Sequence, residues 1–241
     1  MRSTLLAFLA AFLSLTGLAH AVGPNNALNE PATHPRQDAS QGRDAAAVAG
    51  TLVKVGGGAK GFDFTKIANN GSVLPANAAL GTGASAWGCT YDNVTGLLWE
   101  VKVNDPIHLR HMNHTYTWYN SNSAINGGAP GLPSGGTCQT AGRCDTEKYA
   151  ADVSAAGMCG HSDWRMPTSK ELESLLDQGV AYLGTTIETT YFPNTVASDF
   201  WSGSPTADIS SGAWGVYFYG GYTYSTDKSD AFSVRLVRAG Q

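Results

Sequence analysis

Positive charge is scarce in this chain and nowhere clustered: 15 Lys and Arg stand against 19 Asp and Glu in 241 residues. Nucleic acid and anionic membrane surfaces are met by Lys and Arg clusters, so neither is an expected partner. Long apolar runs are equally few. Leu5 to Leu18 is the one extended run, and it falls short of the roughly 20 residues a spanning helix needs. No transmembrane segment is therefore expected. Catalytic signatures are missing as well, with no GxSxG, no HExxH, no P-loop and no GxGxxG behind a strand. No repeat of 20 to 50 residues is visible, which argues against solenoids and propellers.

What is present points to export. Arg2, the apolar run and Ala19-His20-Ala21 have the order of a secretory signal peptide over residues 1–21, with the mature chain starting at Val22. Losing Arg2 takes the formal charge from -4 to -5. Residues 22–50 are poor in large apolar groups and read as a disordered linker. Residues 51–241 carry all six Trp and all ten Tyr, enough for one core, so one globular domain is expected there. The product should be secreted or periplasmic, where thiols oxidise.

The four cysteines allow three pairings. Cys138 with Cys144 would close a short loop. Cys89 with Cys159 would tie the first core strand to the end of a helix, a long closure worth roughly 3 to 5 kcal/mol. These two pairs are favoured over a zinc site, because no CxxC-type pair occurs.

Local signals outline an α+β order. Asp92 to Gly96 is a turn ahead of a strand ending near Val101, and Thr115 to Tyr119 is a second strand. Asp145 caps a helix expected to run to about Met158 and stop at Gly160. Thr168 and Glu171 form a capping box for a second helix, with Leu172, Leu175 and Leu176 as its apolar stripe and Gly179 as its end. Strands follow at Asp199 to Ser202, Ala213 to Tyr219 and Ala231 to Val237, with Gly220-Gly221 a turn signal joining the last two through a turn from Tyr222 to Lys228. Several antiparallel strands and two helices, stapled by disulfides, make an α+β domain and not a βαβ repeat.

Six words in series carry a family likeness: DNVTGLLWE (Asp92 to Glu100), TYTWYN (Thr115 to Asn120), CGHSDWRMPTSKEL (Cys159 to Leu172), YFPNT (Tyr191 to Thr195), FWSGSP (Phe200 to Pro205) and VRLVRAGQ (Val234 to Gln241). Over roughly Gly61 to Gln241 the chain resembles the Lcl C-terminal domain family, the tip domain of collagen-like adhesins. The resemblance implies an exported domain related to C-type lectin-like and formylglycine-generating-enzyme-like folds. For its namesake it implies trimers that bind sulfated glycans. This chain has no Gly-X-Y stalk, so trimerisation is not carried over and the oligomeric state stays open. From Cys89 onward nine Lys and Arg face fifteen Asp and Glu, a balance of -6 that opposes a polyanion unless the basic residues cluster in space.

Among residues that could carry chemistry, the C-terminal aromatics stand first. In a strand from Ala213 to Tyr219, alternation puts Trp214, Val216 and Phe218 on a core face and Gly215, Tyr217 and Tyr219 on the other. Tyr222 and Tyr224 extend that second face, and Trp201 is grouped with it, as a shallow platform for sugar rings or a protein. Tyr-rich strands also simply pack in sheets. Asp199, Asp208, Asp227 and Asp230, with Asn194, offer hard oxygen ligands, so calcium is possible though no cofactor is required. His108, His111 and His114 are more readily solvated loop residues than metal ligands. Asp163-Trp164-Arg165 is explained by fixing the start of a helix with Trp in the core. The expected function is therefore a non-catalytic recognition domain for surface carbohydrate or glycoconjugate. A cell-envelope protein module is the alternative, and a polysaccharide hydrolase, whose acid pair cannot be picked out among nineteen acidic residues, the last.

Overall fold

Two helices begin where their cap chemistry starts them. The computed structural model describes residues 42–180 and 184–240, so the expected signal peptide and the linker as far as residue 41 lie outside the described residues. Asp145 accepts the Lys148 amide at 2.8 Å and opens α2 (Thr146–Ala155). The helix stops sooner than expected, because Gly157 takes a left-handed φ of 63° and the chain continues as a 3-10 turn, Met158–Gly160. Thr168 and Glu171 form the anticipated capping box at α3 (Ser169–Glu173). That helix ends well before Gly179, and Leu175 is buried from the turns beyond it.

An earlier helix, α1 (Gly42–Val48), lies inside the segment expected to be a linker. No residue of it is buried, so apolar content gave no sign of it. Polar contacts hold it: Arg43 Nε donates to the Gly61 carbonyl at 2.7 Å and Asp44 accepts the Gly61 amide at 2.8 Å. The described order thus begins before Thr51.

Among the described residues nine strands form two sheets. The first has the order β1 (Phe64–Ala68), β2 (Trp87–Asp92), β3 (Leu97–Glu100) and β9 (Val237–Ala239), all antiparallel. The β2–β3 turn is as read: Asp92 accepts from the Val94 amide and the Thr95 hydroxyl, and Gly96 takes a φ of 72°. The second sheet has the order β4 (Tyr116–Thr117), β8 (Ala231–Val234), β5 (Asp199–Pro205), β6 (Gly212–Tyr217) and β7 (Tyr222–Asp227). Its β5–β8 pair is parallel and the other pairs are antiparallel. Arg235 and Leu236 carry the chain from the second sheet into the first.

One core cluster joins Trp118, Trp164, Trp201, Tyr116 and Tyr149 around the Cys89–Cys159 disulfide. The other joins Trp99, Leu172, Leu175, Phe192, Phe200 and Phe218. Both expected disulfides are formed, Cys89–Cys159 across 70 residues and Cys138–Cys144 across six. Loop-closure entropy makes the first the stronger constraint, so Cys89→Ser with Cys159→Ser should cost roughly 3 to 5 kcal/mol and opening the short loop only about 2 kcal/mol. Urea unfolding of the two double variants checks the order. Among the described residues no helix is long and apolar enough to cross a membrane.

Candidate functional site: a tyrosine hairpin

The hairpin β6–β7 is built by cross-strand pairing. Tyr217 pairs with Tyr222 and Gly215 with Tyr224, and directly opposed residues share a face. The ring centroids lie 5.8 Å apart for Tyr217 and Tyr219, 5.3 Å for Tyr217 and Tyr222, and 5.9 Å for Tyr222 and Tyr224. The four tyrosines expected to act together are thus brought together. Tyr222 is the most open, at 49 % exposure, and the other three are half-buried. The run continues inward from Tyr224 to Phe232 at 6.5 Å, and Phe232 stacks on Trp201 at 4.5 Å. Thr223 faces the other way, toward α3.

Three expectations are corrected here. Trp201 is fully buried and cannot touch a ligand. Its partner across the sheet is Gly215, Phe232 fills the space a side chain there would have taken, and its indole N–H donates to the Tyr116 carbonyl at 3.0 Å. Trp214, assigned to the core, is 37 % exposed, because the β5 register shifts between Trp201 and Pro205 and leaves it beside the irregularity near the edge strand. Tyr222 to Asp227 is a strand and not part of the turn, so β7 is the free edge of the sheet.

The carboxylates do not gather into a cage. Asp199 accepts from the Tyr224 hydroxyl at 2.5 Å, Asp230 from the Thr226 hydroxyl at 2.5 Å and Asp227 from the Ser229 amide at 2.8 Å, while Asp208 is exposed. Asn194 donates to the Lys102 carbonyl at 3.2 Å. Among the described residues no group of three or more His, Cys, Asp or Glu is placed to hold a metal ion. Burial raises the Asp199 carboxyl above its ordinary range, opposed by the Tyr224 hydrogen bond and reinforced by the nearby Asp230 charge. Burial and Asp199 in turn push the Tyr224 phenol well up.

The histidines are not solvated as expected. His111 and His114 are each 8 % exposed and meet edge to face at 5.1 Å, and His114 Nε2 lies 3.2 Å from the His108 carbonyl oxygen. Trp164 is in the core, as read, Arg165 pairs with Glu171 at the start of α3, and Asp163 pairs with Arg238.

A second polar constellation escaped the sequence reading. Glu100, fully buried, accepts from Lys102 Nζ at 2.7 Å, from the Leu236 amide at 2.9 Å and from the Tyr149 hydroxyl. Arg235, also fully buried, donates to the Glu100 carbonyl at 2.5 Å, and its guanidinium lies 5.0 Å from the Phe192 ring centroid. Burial pushes Lys102 down to about 8 and Arg235 to about 10. Burial alone would raise Glu100, but the Lys102 ammonium and the hydrogen bonds hold it below the usual range. The signal was period-two alternation, which puts Glu100 and Lys102 on one face of the strand and its extension.

Comparison with known proteins places the chain. The model of the Lcl C-terminal domain matches residues 88–238, which leaves β1 outside the match although β1 completes the first sheet. No curated protein and no solved structure matches. With well over half its length matched, the chain belongs to the Lcl C-terminal domain family.

Proposed function

We propose that this is an exported, non-catalytic recognition domain that binds surface carbohydrate or glycoconjugate in adhesion through the tyrosine face of β6–β7. The observation that carries the reading is the contiguous run of four partly exposed tyrosine rings on an edge hairpin, backed by a rigid aromatic core. Flat rings at such spacing offer stacking surface to sugar rings with little entropy to lose. The kinship with C-type lectin-like folds that the family likeness implied belongs to this reading.

A non-catalytic role is supported by where the perturbed groups lie. Strongly shifted pKa values cluster at active sites in enzymes. Five of the shifted groups, Glu100, Lys102, Tyr116, Tyr149 and Arg235, are at most 2 % exposed and sealed away from any substrate, and the raised Tyr224 on the hairpin is a phenol kept protonated, not an activated base or nucleophile. Export is supported by the two disulfides, which persist in oxidising compartments.

A glycan array tests the proposal. Wild type should bind at least one glycan class, and Tyr222→Ala should weaken that binding tenfold or more with unchanged melting, since Tyr222 is the most exposed ring. Equal binding by the variant would remove the platform from the account. The free β7 edge favours a second reading, an envelope protein that docks on the same face. Co-purification of one fixed envelope partner, lost in Tyr222→Ala and without glycan binding, would select it.

A further inference from the structure

Among the described residues the cations are already engaged. Of the 15 Lys and Arg, Arg2 and Arg36 lie outside the described residues. Of the other thirteen, eight stand in ion pairs with carboxylates. Four more, Lys66, Arg110, Lys228 and Arg235, are buried and donate to backbone carbonyls. Lys54 donates to the Gly58 carbonyl at 2.6 Å. Lys170, the most exposed member of any of these pairs, sits on α3, against the sheet face that Thr223 shares and away from the tyrosines.

The tyrosine face has the opposite character. Asp199 bonds the Tyr224 hydroxyl, and Asp230 lies near enough to act electrostatically on both Asp199 and Tyr224. Neither carboxylate forms an ion pair among the described residues. A sulfated or uronic glycan arriving here would meet negative charge and, among the described residues, no cation free to answer it. A half-buried carboxylate without a counter-charge is instead suited to a cationic group.

We infer that the glycan taken by this platform carries free amino groups, with Asp199 and Asp230 as their counter-charges and the tyrosines stacking its rings. The inference rests on the carbohydrate reading above and gives it a ligand class.

The test titrates the intact protein with three probes: a glucosamine oligomer, its fully N-acetylated counterpart and a heparin fragment. Slightly acid buffer keeps the amines charged, and about 150 mM salt screens attraction beyond roughly 8 Å. The glucosamine oligomer should bind at least tenfold more tightly than the acetylated one, and heparin should not bind. In Asp199→Asn with Asp230→Asn the ratio between the two oligomers should fall to within twofold. Tyr222→Ala should weaken the glucosamine oligomer tenfold or more. Equal affinity for the two oligomers, or a preference for heparin, overturns the inference while leaving a glycan platform standing. Glucosamine binding that survives Tyr222→Ala overturns it as attraction to an acidic protein at large. Failure of all three probes, together with a blank glycan array, brings down the carbohydrate reading itself.

Discussion

Glu100→Gln should destabilise the protein by about 3 to 5 kcal/mol, among the largest effects of any single substitution here. One buried carboxylate answers Lys102 directly and lies within electrostatic reach of Arg235 and Arg110, which are 2 %, 0 % and 4 % exposed. Removing its charge leaves three buried cations with no anion among them, and desolvated charge is costly when unpaired. The pH dependence follows from the same geometry. The folded pKa of Glu100 lies below its ordinary 4.5, so its contribution is present above the unfolded value and is lost as pH falls through the folded one. Lys102 has the other sign. With a folded value of about 8 against 10.5, the unfolded state binds more protons between those limits, so stability rises with pH across that window. Urea unfolding from acid to alkaline pH should show a shallower acid limb in Glu100→Gln, and its Lys102 window should widen downward because the partner charge that holds the folded value up is gone. An unchanged acid limb would show that Glu100 does not titrate as placed.

Lys228→Met should cost about 3 kcal/mol or more, although the methionine fills the volume. The Lys228 ammonium has three protons and uses each on a carbonyl: Asn126 at 2.7 Å, Ala129 at 2.8 Å and Ser210 at 2.6 Å. It also stands 4.4 Å from the Trp118 ring centroid, at 1 % exposure. These contacts hold the Gly-rich loop of residues 121–137 against the loop that enters β6. Each carbonyl left buried without a donor costs roughly 1 to 3 kcal/mol. Lys228→Arg should not restore stability, because a planar guanidinium cannot meet three carbonyls arranged about one point. Rescue by arginine would mean that charge alone matters there. Thermal melts of the two variants distinguish these outcomes.

Sequence marks were most legible where one residue type does one job. Asp145 and Thr168 capped the helices expected of them, and the four cysteines paired as spacing and context favoured. Legibility failed where partners come from far along the chain. Trp201 looked like part of an exposed aromatic set until Phe232 and Gly215 were brought over it by strand pairing. Strand β7 buries no residue, so YTYSTD carried no apolar alternation to identify it. Helix α1 rests on Arg43 and Asp44 reaching Gly61, 17 or 18 residues ahead, which composition cannot express. Of the site, the tyrosine grouping was readable from alternation, whereas Asp199 as the partner of Tyr224 required the register of the β5–β6–β7 sheet.

The claim that β6–β7 is the recognition surface is tested most directly by hydrogen exchange of the intact protein, with and without whichever glycan the array selects. Protection should rise across residues 214–227 and be lost in Tyr222→Ala. Protection confined elsewhere, for instance to the histidine loop at 105–114, with the hairpin unchanged, would contradict it.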